Sequence, residues 1–176
     1  MLALGPKLGP LLWQLPERFA YDAEVVGRFL EMLPRTTTEA AERARDHDDR
    51  VKDRSLTEAD AERPLRHALE FRSPTFDTPR LYEQLSERGV ACVLADTAGR
   101  WPRVDRNTAD FRYVRLHGDA ELYASGYSDA ALDDWAARIT AWARHGDVYC
   151  YFDNDAKGFA PHDAVGLLQR LRESSP

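Results

Sequence analysis

Two hydrophobic periods alternate along this chain, and that alternation narrows the fold more than any other feature. Five short apolar runs are LLWQLP (11–16), HALEFR (67–72), VACVLAD (90–96), YVRLHG (113–118) and VYCYFDND (148–155). Their length, their β-branched or aromatic content and the turn residues around them predict strands. Between them the period lengthens to that of a helix. Val26, Phe29, Leu30 and Leu33 fall at i, i+3, i+4 and i+7, and Pro34 stops that helix. Thr78 and Pro79 read as N-cap and first helical residue ahead of Leu81, Tyr82 and Leu85, with Gly89 after the last turn. Ser128 or Asp129 opens a stripe of Leu132, Trp135, Ala136, Ile139 and Trp142 that Gly146 ends. A last helix from about Pro161 presents Ala164, Leu167, Leu168 and Leu171. Strands alternating with helices predict an α/β fold with a parallel sheet of right-handed βα units.

Composition sets outer bounds. With 176 residues, 43 % of them hydrophobic, the chain buries a core of one-domain size, and residues 1–176 are read as a single domain. A net charge of -6 offers no global basic field for nucleic acid or an anionic membrane. The opening MLALGPKLGPLLWQLP is broken by Gly5, Pro6, Gly9 and Pro10 and has no basic start, so it predicts neither a signal peptide nor a membrane span. Cys92 and Cys150 sit inside apolar runs with no CxxC, which suits small buried hydrophobes in a reducing cytoplasm. The stretch 39–63 breaks the rhythm: 15 of its 25 residues are charged and only Val51 and Leu56 are large and aliphatic. No packed face can be drawn from it, so it is expected to be a solvated helix or a mobile insertion.

Parity sorts the strand residues onto two faces. Leu69 and Phe71 oppose Ala68, Glu70 and Arg72; Val114 and Leu116 oppose Tyr113, Arg115 and His117; Val148, Cys150 and Phe152 oppose Tyr149, Tyr151, Asp153 and Asp155; Leu11, Trp13 and Leu15 oppose Leu12 and Gln14. One face is apolar and suits covering helices. The other turns polar toward the strand C-termini, the geometry of a (β/α) barrel mouth.

That mouth is the candidate site. Glu70, Arg72, Arg115, His117 and Asp153 are expected around one cavity, with Gln14, Asp96, Asn154 and Asp155 at its rim. Arg72 and Arg115 would bind a carboxylate or phosphate through planar bidentate donors. His117 would be the general acid or base, with Glu70 or Asp153 orienting it or carrying the second proton. Asp96, His117, Asp153 and Asp155 as metal ligands, or Glu70 with Asp153 as a glycosidase pair, are weaker readings, since no spaced ligand motif and no carboxylate separation can be read. A non-catalytic module that holds a nucleotide, a nucleic-acid end or a small metabolite by stacking a ring on Tyr113, Tyr123, Tyr127, Tyr149 or Tyr151 also fits. The same polar face also suits a satisfied structural network such as Glu70 with Arg115. If the mouth is wet, Arg115 is removable at little cost in stability.

KLGPLLWQLP (7–16), HALEFRSPTF (67–76), ACVLADTAGRWP (91–102), FRYVRLHGDAELYASGY (111–127) and DVYCYFDNDAKGFAPHDA (147–164) together resemble the DUF72 (YecE-like) family. The resemblance implies a TIM-barrel-like fold with no assigned reaction, cofactor or substrate. Family motifs of the types GTSGW and VEINSTFY, which precede the block matching 7–16, do not stand in this sequence. The chain therefore looks like strands four to eight of an eight-stranded barrel. Open edges of such a fragment invite self-association, and an inactive barrel fragment is a third functional reading.

Overall fold

The computed structural model describes residues 1–51 and 55–173. A 3₁₀ turn over Leu2–Lys7 leads into β1 (Leu11–Gln14), followed by α1 (Ala23–Met32), α2 (Thr37–Ala44) and β2 (His67–Glu70). Then come a 3₁₀ turn at Pro74–Phe76, α3 (Pro79–Arg88), β3 (Ala91–Cys92), β4 (Leu94–Asp96) and β5 (Phe111–Leu116). The chain continues through α4 (Asp129–Ala143), β6 (Asp147–Phe152) and α5 (Phe159–Glu173). Every strand pairing is parallel, in the orders β1-β2-β3 and β4-β5-β6. The run expected as one strand over 90–96 is split at Val93. Its first part pairs with β2 and its second with β5, while Val93 N–H still donates to Leu69 O at 3.0 Å. The break lets the sheet turn from one set of neighbours to the next, so the two three-stranded sheets run on as one arc of parallel strands.

Helix boundaries follow their caps. Asp22, Thr36, Thr78 and Ser128 each accept a backbone N–H of the first turn, and Gly89 ends α3 at φ 63. The apolar parity holds. Leu69, Phe71, Val26, Leu30, Leu81 and Leu85 pack in one helix-side core, and Val114, Leu116, Leu132, Trp135, Ile139 and Leu167 in a second. The opposite face carries Ala68, Ala91, Val93, Phe111 and Tyr113, the inner lining of the arc. His67, on the helix side, accepts from Trp13 Nε1 at Nδ1 (3.1 Å) and donates from Nε2 to Pro34 O (2.7 Å), a satisfied packing histidine.

Two expectations need correction. Leu168 does not face the core: it is 51 % exposed, and Asp163 takes the buried place beside Leu167. The charged stretch 39–63 is not solvated throughout: its Ala40 and Ala41, with Thr37 just ahead of it, form the buried face of α2. A face of alanines escapes a search for large aliphatics. Its base is clasped: Thr37 N–H donates to Arg63 O (2.9 Å), Leu65 N–H to Arg35 O (2.7 Å) and Thr37 Oγ1 to Ala61 O (2.6 Å). Residues 52–54 of that stretch lie outside the described residues.

Candidate functional site at the barrel mouth

Parallel register brings the C-terminal ends of the strands to one side of the arc. Gln14 lies beside Glu70 across β1 and β2, and Arg115 lies beside Ala95 and Tyr151 across β4, β5 and β6. The inner face therefore gathers Gln14, Glu70, Arg72, Arg115 and Asp153 into one network. Arg115 Nη1 donates to Glu70 Oε2 at 2.5 Å and to Gln14 Oε1 at 3.0 Å, and Nη2 donates to Asp153 Oδ2. Arg72 Nε reaches Glu70 Oε1 at 3.4 Å, and Nη2 donates to Gln14 Oε1 and to Tyr123 OH, both at 3.0 Å. Its guanidinium lies 3.7 Å from the centre of the Trp101 ring, a cation–π stack.

Burial is unequal across this network. The Glu70 side chain is 1 % exposed, Arg115 12 %, Arg72 18 % and Asp153 40 %. Of the two alternatives for Arg115, a wet pocket or a paired network with Glu70, its 12 % exposure and its contact with Glu70 favour the second. The Arg115 guanidinium sits in a buried ion pair, and removing it would leave the Glu70 carboxylate uncompensated, at about 3–5 kcal/mol.

His117 is fully buried. The edges of Tyr123 and Trp101 close over it, with ring centres 5.3 and 6.4 Å away. Nδ1 stands 3.2 Å from Asp153 Oδ2 but off the line of a hydrogen bond, and neither ring nitrogen has a hydrogen-bond partner among the described residues. Burial, reinforced by the Arg115 charge, holds its pKa below the ordinary histidine value, so the imidazole is neutral near pH 7. A neutral ring keeps one donor and one acceptor, and both are unused here. Tyr123 itself sits at φ 63, fixed by its N–H to His117 O at 2.5 Å.

Two expected rim residues point elsewhere, Asp96 and Asn154. Asp96 pairs in register with Leu116 and so falls on the helix side, where it accepts from Tyr127 OH (3.2 Å) and stands 3.6 Å from Arg103. It lines a separate cleft of about 370 Å³ with Arg103, Asp134, Trp135 and Arg138. Asn154 is fully buried and points behind the mouth, its Nδ2 donating to Ser125 O (2.9 Å) and Asp163 Oδ2 (2.7 Å), so it ties the 118–127 connection to α5. Asp155 is exposed in the turn between β6 and α5. Sequence reading missed Trp101. The available signal was a lone indole between arginines in the long connection 97–110 after a strand, where such groups reach a barrel mouth.

The family model described as "Protein of unknown function DUF72" matches residues 1–176. The chain belongs to the DUF72 family. A DUF72 family protein from Thermotoga maritima superposes with a TM-score of 0.70 at 22 % identity, over 94 % of this chain and 58 % of its own. Two structures of a DUF72 family protein from Enterococcus faecalis give TM-scores of 0.70 and 0.66 at 16 % identity. They cover 97 % and 95 % of this chain and 61 % and 62 % of their own. This DUF72 chain thus spans about three fifths of the length of those relatives and shares their TIM-barrel-like fold. No curated protein matches its sequence. No helix among the described residues is long and apolar enough to cross a membrane.

Proposed function

We propose that the mouth binds a small anionic ligand beside Arg72 and that His117 acts on it as a general base. The observation that carries this reading is the fully buried imidazole with both nitrogens unpartnered next to a carboxylate. A buried polar group without partners costs about 1–3 kcal/mol, a cost that a folded protein tolerates where the group has work to do. Arg115 is held by Glu70 and Asp153 and positions both carboxylates. Arg72 is the less compensated cation: among the described residues its only carboxylate contact is the 3.4 Å approach to Glu70, which Arg115 binds more closely. Arg72 is therefore the anion's partner. Asp153, whose Oδ2 lies 3.2 Å from Nδ1, is the carboxylate that would orient the imidazole once a hydrogen bond forms between them on ligand entry. Entry requires Trp101 and Tyr123 to part, since they cover His117.

The test is calorimetric titration with inorganic phosphate and with citrate, on the native chain and on Arg72→Gln. Binding by the native chain that weakens at least tenfold in Arg72→Gln is expected. No heat with either anion at millimolar concentration, or unchanged affinity in the variant, overturns the reading. Anion binding that survives unchanged in His117→Gln would favour a binding module over an acid–base site.

A further inference from the structure

The hydrogen-bonding groups left over at the mouth differ from one end of its network to the other. Arginine nitrogens only donate, so two guanidiniums fix the Gln14 amide: its Oε1 accepts from Arg72 Nη2 and from Arg115 Nη1, each at 3.0 Å. The amide Nε2 therefore turns away from both arginines. Among the described residues nothing accepts from it, nor from Arg72 Nη1, so this end offers two free donors beside a cation. At the other end the need is reversed. Asp153 Oδ2 is held by Arg115 and lies 3.2 Å from His117 Nδ1. With Nδ1–H directed at that carboxylate, Nε2 of the neutral ring is left as an acceptor, fully buried and bonded to no donor among the described residues.

We propose that the ligand is a small hydroxy-anion: its carboxylate or phosphate is taken by Arg72 Nη1 and Gln14 Nε2, and a hydroxyl on the same molecule donates to His117 Nε2. This rests on the reading of the mouth as an anion site with His117 as its base, and it names the proton that the base faces. Gln14 and Asp153 are bonded to the two nitrogens of one guanidinium, that of Arg115, so the two ends are a small molecule's length apart. An amine is the other donor that a small anion could carry, and it would arrive as an ammonium. Burial first, and then the Arg115 charge, disfavours a cation at His117, and both act in the same sense on an ammonium beside it. A hydroxyl brings the proton without the charge. An anion that lacks it leaves Nε2 buried and unpaired, which is how a dry polar site rejects an analogue missing one hydroxyl.

Calorimetry on the full chain with racemic malate, succinate and racemic aspartate tests it. These dicarboxylates share one carbon skeleton and differ in carrying a hydroxyl, a hydrogen or an ammonium at one carbon. Malate is expected to bind tightest, with succinate and aspartate each at least fivefold weaker. Asp153→Ala removes the carboxylate that orients Nδ1–H and should bring malate and succinate within twofold of each other, in a variant first shown by its thermal melt to be folded. Gln14→Glu keeps an oxygen for both guanidiniums but swaps the free donor for an acceptor, and should weaken malate at least tenfold. Malate no tighter than succinate, including neither binding where phosphate does, overturns the hydroxyl and leaves the anion site standing. Aspartate as tight as malate overturns it in favour of an ammonium. A malate preference undiminished in Asp153→Ala, or malate affinity unchanged in Gln14→Glu, overturns the placing of the two ends. No heat with any of these anions, phosphate and citrate included, overturns both the hydroxyl and the anion site.

Discussion

Two carboxylates hold the same guanidinium at this barrel mouth, and they differ in almost everything else. Glu70 comes from β2, an inner strand buried along its whole length, and is shielded to 1 % exposure. Asp153 follows β6, a terminal strand half open to solvent, and is 40 % exposed. Arg115 lies between them. Position in the sheet sets the difference: an inner strand hides its polar residue and demands a partner for it, while a terminal strand leaves its residue wet and adjustable. Glu70 fastens the network. Asp153, paired with the same Arg115, is the carboxylate that solvent reaches.

Removing Glu70's charge breaks that comparison hardest. Glu70→Gln leaves Arg115 and Arg72 facing a neutral amide in a dry site, and a loss of about 3–5 kcal/mol is expected in chemical denaturation. A loss below about 1 kcal/mol would mean that Glu70 fastens nothing. Trp101→Ala comes next. It removes the ring under Arg72 and half the cover of His117, at about 1–2 kcal/mol by the same measurement. It should also open His117 to chemical modification by diethyl pyrocarbonate, with His67, buried in the helix-side core, unreactive in both proteins. Asp153→Asn is smaller still. Arg115 keeps Glu70, the lost charge is partly screened by water, and the cost should stay within about 1 kcal/mol.

The contrast between the two carboxylates was only half legible in the sequence. Parity placed Gln14, Glu70, Arg72, Arg115 and Asp153 on one face because a strand alternates whatever surrounds it, and the structure joins those five through hydrogen bonds. The caps at Thr78 and Ser128 were legible for the same reason, since their chemistry is local. Degree of burial is not local. Nothing in YVRLHG says that Trp101 and Tyr123, from two separate connections, close over His117. Asp96 was misplaced because its run follows the opposite parity: Val90, Cys92 and Leu94 face the helices, and Asp96 goes with them. Asn154 carried no sign of the Ser125 and Asp163 partners that draw it behind the mouth.

The finest way to sharpen the comparison reads a single proton. His117 has its pKa lowered first by burial and then by Arg115, while Glu70 and Asp153 pull it back up. Asp153→Asn removes one of the two upward influences, so the His117 pKa should fall further below the native value, followed by imidazole resonances across a pH titration. The sign carries over to stability. A histidine with a folded pKa below its unfolded value of about 6.5 binds its proton more readily when unfolded, so its contribution to stability is full above that pH. It is lost as pH falls through 6.5 toward the folded pKa. His67, also lowered by burial, adds a loss of the same sign that Asp153→Asn leaves untouched. The variant should therefore keep losing the His117 contribution on acidification to a lower pH limit than the native chain, the His117 part being identified by its imidazole resonances. An upward move of that pKa in Asp153→Asn would mean that Asp153 does not act on the imidazole as a charge, and the orienting role given to it would fall.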